Sequence, residues 1–573
     1  KYYPESIIFG FFAVIYVLFC SYYMIELPHL SWFEQVIWID KYFNGTLTIH
    51  DLFSSYGEHG MLGTNLLMIL NSDLFGLSTL FDVYLNDILV ILTGIIGLVT
   101  WKKYNSNEKK TWIYIVGIFL TCFFLFNVLQ GSSGAMETQV RLGLFFSILS
   151  MFLCDKFFRT ETTKRYKVVM YVVVVLSINV FGTLYSIAAA AGICLICLGR
   201  IITKRANRNV VCLIMVIIFC WMLYFVEYRT FSNISENSIG VTNFVRILLM
   251  DLPTVLKSLV TFSGSFLLGY PSMADHLISD QAYLTIGLFV LMITVFCCCV
   301  YVKNKYYKRT FLPFFFILYA YAVWFMVLVG RYDQINGEWM WFANNWYFVH
   351  TKIATVSIVW ILLLYIKDKR SRLLKTAGII TLTYLVTVGL FGYYTELKRV
   401  PYEKAYYAKM QPYLFAQSID ELPVDENNNT PLIHTPETTW ESIEILKKYN
   451  LSVYRYYDAY NRMEEIRNGS LSNIGLYEDG WVEPNAQVSV LVGDKGIIKL
   501  SGRYNQEITG NEVISVYDGE KLLTEHIIST PDFTFEIPSK PNSKVNLTIK
   551  CNFSFEPNPP DVRKLSFILD ELS

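Results

Sequence analysis

The sequence predicts an all-α polytopic membrane domain, followed by an exterior mixed segment and a small antiparallel β-sandwich. Three observations predict it: about eleven long apolar stretches, an alternation of charge between the loops that join them, and short strand patterns near the C-terminus. The chain has 573 residues, 53% of them hydrophobic, and a positive mean hydropathy, which is unusual for a soluble domain. Its formal net charge is zero, so we expect no nucleic-acid partner.

The apolar stretches are long enough to cross a lipid bilayer, which requires about 20 residues per helix. The predicted spans are 6–25, 84–101, 111–129, 139–157, 166–182, 184–200, 209–226, 281–302, 310–330, 347–366 and 375–394. The fifth and sixth are joined by a very tight turn near Gly182. No small-residue cleavage site follows the first span, so we interpret it as a retained helix rather than a signal peptide.

The charge of the loops predicts the orientation of the chain. Clusters of Lys and Arg follow every even-numbered span, from Lys102 and Lys103 after the second to Arg370 and Arg372 after the tenth. Basic loops stay in the cytoplasm by the positive-inside rule. We therefore predict a multi-pass plasma-membrane protein with an odd number of spans and an extracytoplasmic C-terminal domain.

The C-terminal part changes character after about residue 395. A helix is predicted near 437–449, because Pro436 and Glu437 are typical of a first helical turn. Six short alternating runs follow from about residue 486, and Asp518-Gly519 is a strong hairpin signal between two of them. The predicted domains are a membrane domain (1–395), a mixed linker region (396–485) and a β-sandwich (486–573).

The loop after the first span carries an amphipathic pattern. Its apolar residues fall on one helical stripe: Trp32, Val36, Ile39 and Phe43. This pattern predicts an interfacial helix over 32–43, which Asn44-Gly45 ends. A polar turn from Ser54 to Gly60 precedes the next apolar segment.

This arrangement resembles the GT-C class of integral-membrane glycosyltransferases. The matching features are Glu34, the helix 32–43, Gly45 and the Glu58-His59 turn. The late exterior loop VGRYDQINGEWMWFANNWYFVHTK is also similar to the Gly-Arg and aromatic segment of bacterial members. Many members carry paired acids in the first loop, where this chain has Phe33-Glu34. The resemblance implies a polyprenyl-phosphate-linked sugar as donor. The frequent Lys, Asn, Ile and Tyr residues suggest an AT-rich bacterial genome.

Sugar transfer from such a donor needs a base for the acceptor hydroxyl. Glu34 is the first choice, and Asp51 and Glu58 compete with it. Each has a structural alternative. Glu34 stands at the third helical position of a capping box that begins at Ser31, so its role would be to cap the helix. Asp51 and Glu58 lie in polar turns, where an acidic side chain ordinarily does no more than face solvent.

The departing phosphate needs cationic or hydrogen-bonding groups. Arg331 and Lys352 lie at the exterior ends of predicted spans, and Arg141 lies at the exterior start of the fourth. The alternative is that these side chains snorkel to the headgroups, or that Arg141 pairs with Glu137 one turn away. His59 is a candidate contact for phosphate or a metal, and Asn345 and Trp346 suit a sugar ring.

We therefore predict an inverting glycosyltransferase that moves a sugar from a polyprenyl-phosphate donor to an extracytoplasmic glycan acceptor. The acceptor class is a wall polysaccharide, a teichoic acid or a glycoprotein. Two alternatives stay open: a polyprenyl-diphosphate glycan polymerase or ligase, and a non-enzymatic flippase for lipid-linked glycans. A transporter would carry polar residues deep in several spans, and few charges fall in mid-span. A requirement for a divalent cation also stays open.

Overall fold

The structure is a computed structural model of the chain. It describes residues 4–24, 26–28, 32–53, 55–56, 59–104, 112–126, 135–159, 161–203, 208–231, 247–248, 251–269, 277–335, 338–343, 345–368, 371–410, 413–414, 416, 418–422, 424–425, 429–430, 432, 435–455, 473–477, 480–492, 496–541, 544–557, 561 and 563–572. The fold is mostly helical, with an antiparallel sheet at the C-terminus.

The described part of the chain contains sixteen α-helices, which we number in chain order. They are α1 (Pro4–Tyr23), α2 (Trp32–Phe43), α3 (Ile49–Leu52), α4 (Leu62–Phe75), α5 (Thr79–Tyr104), α6 (Trp112–Leu125), α7 (Ala135–Arg159), α8 (Lys164–Val175), α9 (Leu184–Ile202), α10 (Arg208–Phe231), α11 (Leu252–Gly264), α12 (Asp280–Lys303), α13 (Leu312–Ile335), α14 (Asn345–Asp368), α15 (Arg372–Met410) and α16 (Pro436–Lys448).

Eight of these helices are long and apolar enough to cross a membrane: α1, α5, α9, α10, α12, α13, α14 and α15. This finding is consistent with the predicted membrane protein. The described part of each predicted span overlaps a helix, but the third, fourth and fifth spans lie on α6, α7 and α8, which are not among the eight. Helix α6 has 14 residues and α8 has 12. The predicted number of eleven crossings and the side of each loop stay predictions.

The tight turn predicted near Gly182 is present between α8 and α9. A π-helical turn, Leu176–Val180, continues α8, and Thr183 begins the cap of α9. Gly182 is required here, because a Cβ at this position would overlap the carbonyl group of Ile178. Only three residues, 181–183, therefore lie between the helical structure that continues α8 and the start of α9.

The first loop folds as the amphipathic pattern predicts. Helix α2 covers the expected 32–43, and Gly45 follows it with a positive φ of 70°. The short helix α3 and a two-stranded hairpin, β1 (Ser55–Tyr56) with β2 (His59–Gly60), lead into α4.

The C-terminal strands are β3 (Asn473–Leu476), β4 (Trp481–Leu491), β5 (Ile497–Arg503), β6 (Val513–Asp518), β7 (Lys521–Ile527), β8 (Asp532–Pro538), β9 (Lys544–Cys551) and β10 (Phe567–Leu572). They form one antiparallel sheet in the order β7-β6-β9-β4-β10-β5-β8, with β3 paired to β4. The predicted hairpin at Asp518-Gly519 is confirmed as the β6–β7 connection.

The two end strands of this sheet approach each other, which makes the sheet barrel-like. His526 of β7 stacks on Phe535 of β8 with 4.6 Å between ring centroids. The antiparallel sheet is confirmed as one continuous sheet of the described strands, and the predicted sandwich stays a prediction. Alternation shows that one face of each strand is buried, but it does not say how the strands close.

Residue contacts divide the chain into two compact units. The first contains residues 1–24, 38–71 and 80–397, and the second contains 25–37, 72–79 and 398–573. Helix α14 forms the centre of the first unit, since the whole of its apolar window is buried. The sheet of the second unit has its own core around Val482, Leu500 and Ile549.

Candidate functional site

Several of the sequence-predicted site residues lie where only the backbone is described. Glu34 lies in α2 and His59 in β2, Arg331 belongs to the last turns of α13, and Asn345 and Trp346 begin α14. The structure does not describe the side chains of these five residues, and Glu58 lies outside the described residues. Their predicted roles therefore stay predictions.

Asp51 has a well-defined structural role at the start of α3. Its carboxylate accepts hydrogen bonds from Thr48 N at 2.9 Å and from Thr48 Oγ1 at 2.6 Å, which closes a capping box. Lys41 Nζ lies 2.7 Å from Asp51 Oδ1. The Lys41 ammonium and the Thr48 hydroxyl lower the pKa of Asp51 to about 2. A carboxylate with so low a pKa is a weak general base at neutral pH.

Arg141 and Lys352 lie on one cavity in the first unit. Helices α5, α6, α7 and α14 supply the walls, and two cationic side chains line an otherwise largely apolar surface. The other lining residues are Leu89, Val90, Thr93, Leu125, Leu144, Val349 and Ile353. Both side chains are predicted from the sequence to bind phosphate, and the structure brings them to the same cavity.

The cavity lies towards one end of these helices. Arg141 follows the start of α7 by six residues and Lys352 follows the start of α14 by seven. At 1.5 Å per residue, both lie about 10 Å inside the helix starts. Leu125 is the last residue of α6, so it marks the same end of the bundle. The charge pattern predicts that this end faces the exterior.

Both cations are buried, with 6% of Arg141 and 1% of Lys352 exposed. Lys352 Nζ donates a hydrogen bond to the carbonyl oxygen of Phe266, in the turn that follows α11. Thr355 Oγ1 donates to the same oxygen at 2.8 Å, and Thr351 Oγ1 donates to Ser265 O at 3.0 Å. The turn therefore fixes one face of α14 beside the cavity.

Two buried carboxylates lie near these cations. Asp87 of α5 is 3% exposed and acts electrostatically on Arg141. Glu396 of α15 is 6% exposed and acts electrostatically on Lys352. Charged groups at such depth in an apolar bundle are costly, and they are usually paired and functional. Each cation of the cavity therefore has an acidic neighbour from another helix.

Asp87 also faces the first helix. Tyr16 and Cys20 of α1 share hydrogen bonds with its carboxylate, and both side chains are buried. Asp87 Oδ2 has no hydrogen-bond partner within the described residues. Asp87 thus joins α1 and α5 to the cationic side chain on α7.

A second polar contact adjoins the cavity on α14. His350 Nδ1 and Tyr319 Oη are 2.8 Å apart, and the His350 ring lies 4.5 Å from that of Tyr185. His350 is fully buried. These two contacts of His350 join α9, α13 and α14. They lie next to Thr351, which bonds to the same turn after α11 as Lys352 does.

The lining joins two basic side chains to aliphatic walls, a chemistry that would suit an anion with an apolar chain, although the cavity itself, at about 20 Å³, has the size of one water molecule. The two cations supply positive charge in a low-dielectric setting, where electrostatic attraction is stronger than in water, and the aliphatic walls suit hydrocarbon. The described residues contain no group of three His, Cys, Asp or Glu side chains arranged to hold a metal ion. The question of a divalent cation stays open.

Asp87 and Glu396 were not among the site residues predicted from the sequence. A signal for Asp87 was present, since Asn86-Asp87 interrupts the apolar run of α5. Glu396 lies at the end of the last predicted span, where the helix continues to Met410. An acid near a predicted helix end is ordinarily interpreted as solvated, so only the packing reveals its burial.

Comparison with models of known protein families and with curated proteins finds no match to this chain.

Proposed function

We propose that this chain is a GT-C-like membrane glycosyltransferase that uses a polyprenyl-phosphate-linked sugar. The observation that carries the proposal is the cavity on which Arg141 and Lys352 meet. It would transfer the sugar to an acceptor outside the cytoplasm, such as a wall polysaccharide, a teichoic acid or a glycoprotein.

The chemistry of the donor suits the cavity. A polyprenyl-phosphate sugar has one phosphate between a hydrocarbon chain and a sugar ring. The guanidinium of Arg141 would bind the phosphate oxygens, a geometry for which Arg is well adapted. The ammonium of Lys352 would stabilise the charge that develops on phosphate as the sugar leaves. The aliphatic side chains of the walls would contact the first isoprenyl units.

The base of the reaction would come from the first loop. Glu34 remains the first choice and Glu58 its alternative, whereas the ion pair and capping box of Asp51 favour a structural role. The base would take the proton of the acceptor hydroxyl as that oxygen attacks the anomeric carbon. The C–O bond to phosphate breaks on the opposite side, so the anomeric centre inverts.

One observation favours a second candidate, a flippase for lipid-linked glycans. Asp87, Arg141, Lys352 and Glu396 are all buried on helices of the apolar bundle, which is typical of transport pathways. A flippase would bind the same lipid phosphate in the same cavity but would break no covalent bond. The two functions are therefore distinguished by chemistry and not by binding.

The test is a transfer assay with the purified full-length chain in lipid nanodiscs. Polyprenyl-phosphate sugars with different hexoses are incubated with wall-polysaccharide and teichoic-acid acceptors, and product is measured by mass spectrometry. Arg141→Gln and Lys352→Met should each reduce kcat/KM at least about tenfold, as expected for loss of a charged contact to the transition state.

Lys257→Met is the matched control. Lys257 is an exposed side chain on α11, and it does not line the cavity. Its removal should leave transfer unchanged. Failure of wild type to transfer any sugar, together with movement of the intact lipid between leaflets, would replace the transferase proposal with the flippase.

A further inference from the structure

Two buried acids lie near the basic side chains of the cavity. Arg141 and Lys352 line it, Asp87 acts on Arg141 and Glu396 acts on Lys352. All four side chains are buried and come from four different helices of the first unit: α5, α7, α14 and α15. When all four are ionised, their formal charges cancel.

Asp87 is oriented by neighbours on two helices. Tyr16 and Cys20 approach from α1 and Arg141 from α7, and Asp87 Oδ2 has no hydrogen-bond partner within the described residues. Among these described neighbours, Arg141 is the only basic side chain that acts electrostatically on Asp87. A carboxylate placed in this way repels a second anion that approaches the guanidinium.

We propose that Asp87 and Glu396 are specificity-determining residues, which restrict the cavity to phosphodiester lipids with one negative charge. Phosphomonoester and diphosphate lipids carry more charge and are disfavoured. The inference rests on the anion site of the proposed function, but it requires no sugar transfer. It also separates the phosphate-linked donor from the diphosphate-linked donor that a polymerase or ligase would use.

The physical reason is that Coulomb energy scales with the charge of the ligand. Each buried carboxylate repels a dianion with about twice the energy that it exerts on a monoanion at the same position. If removal of one carboxylate charge raises monoanion affinity by about tenfold, it should raise dianion affinity by about a hundredfold. The ratio of the two affinities should therefore shift about tenfold towards the dianion.

The test measures binding of two short-chain lipids to the full-length protein in detergent micelles. Dioctanoyl phosphatidylglycerol is the monoanionic phosphodiester. Dioctanoyl phosphatidic acid is the phosphomonoester, and at pH about 8 it is close to a dianion because the second pKa of a phosphomonoester lies near 6. Wild type is compared with Asp87→Asn and Glu396→Gln, each of which preserves the shape of the side chain.

Asp155→Asn is the matched control for loss of a buried acid. Asp155 pairs with Arg159 at 2.5 Å and accepts a hydrogen bond from Phe311 N at 2.6 Å. It follows Arg141 by fourteen residues on α7, which is about 21 Å along the helix. Every variant is first separated by size exclusion, so that affinity is measured on folded, monodisperse protein.

The proposal expects wild type to prefer the phosphodiester, and it expects Asp87→Asn and Glu396→Gln to shift the ratio about tenfold towards the phosphomonoester. Asp155→Asn should not shift it. Since Asp87 acts on Arg141 and Glu396 acts on Lys352, a shift in either variant that folds supports the proposal for that residue.

The outcomes separate this proposal from the anion site itself. Binding by wild type with an unchanged ratio in the variants overturns the role of Asp87 and Glu396 and leaves the anion site standing. Binding by the variants alone overturns the proposal, since the carboxylates would then exclude the phosphodiester as well as the phosphomonoester. Absence of binding in all of them overturns the anion site and this inference together.

Discussion

Lys352 Nζ donates a 3.0 Å hydrogen bond to the carbonyl oxygen of Phe266, in the turn that ends α11. A lysine near a helix end usually extends its ammonium to the lipid headgroups. Here the backbone carbonyl accepts from the side chain and the residue is only 1% exposed, so the Lys352 nitrogen stays at the cavity.

The electrostatic interaction between Lys352 and Glu396, both buried, predicts a coupling between them. Lys352→Met should lower the free energy of unfolding by about 3–5 kcal/mol, because it leaves Glu396 buried without its counter-charge. Adding Glu396→Gln should recover at least about half of that loss. Chemical denaturation of the purified single and double variants measures the loss in Lys352→Met and the recovery when Glu396→Gln is added. Strictly additive losses would show that the two side chains do not interact.

Asp51 gives a prediction about pH. Its pKa is about 2 in the folded chain against an ordinary value of 3.8, so its ionised form stabilises the fold above pH about 4. That contribution should disappear as the pH falls from about 4 to about 2. The difference in stability between wild type and Asp51→Asn should shrink over the same window. A difference that is constant with pH would contradict the Lys41 and Thr48 contacts as its source.

The same contacts predict how the two first-loop acids differ in the transfer reaction. Asp51→Asn should keep kcat within a few-fold of wild type, whereas Glu34→Gln should lower it by about 100-fold or more. The initial rate of sugar transfer, with folding verified by size exclusion, is the measurement. Full activity in Glu34→Gln would transfer the role of base to Glu58.

Gly117 lies against the indole ring of Trp101, which is fully buried. A Cβ at Gly117 would overlap that ring, while Trp101 Nε1 donates to Tyr114 O at 3.0 Å and the ring stacks near Trp360. Gly117→Ala should therefore destabilise the protein by about 1–3 kcal/mol.

Gly10→Ala is the control for this substitution. Gly10 lies in α1, and a Cβ there meets no described atom within 4 Å. It should leave the thermal unfolding midpoint unchanged or slightly raised. Equal midpoints for the Gly117 and Gly10 variants would disprove the close approach of Trp101.

Glu26 joins three loops of the second unit. Its carboxylate accepts hydrogen bonds from Ser78 Oγ at 2.7 Å, from Thr79 N at 2.7 Å and from Ser452 Oγ at 2.9 Å. Glu26→Gln weakens these charge-assisted bonds and should cost about 1.5–3 kcal/mol. Hydrogen exchange at the amides of 76–79 and 451–455 should accelerate. Ser452→Ala, which removes one of the three bonds, should produce a smaller effect.

Local patterns predicted much of the secondary structure. Helix α2, its end at Gly45 and the β6–β7 hairpin at Gly519 each follow from a few neighbouring residues. The helical spans follow from apolar length alone. In contrast, the single curled sheet depends on which strands pair across the chain, and alternation does not encode that choice.

The candidate site was predictable only in part. Arg141 and Lys352 stand out as charges near the ends of apolar runs, and the structure brings them to one cavity. The acidic neighbours Asp87 and Glu396 come from helices that are distant in sequence, so their positions depend on how the helices pack. Glu26 was missed for the same reason, since its partner Ser452 lies 426 residues away.

The most direct test of the central claim is equilibrium binding of a polyprenyl-phosphate-linked hexose to the full-length chain in nanodiscs. The account predicts that wild type and Lys257→Met bind equally. The double variant Arg141→Gln/Lys352→Met should bind at least about a hundredfold more weakly, because both charged contacts to phosphate are lost. Equal affinity in all three proteins would contradict the account, since the phosphate would then bind somewhere other than this cavity.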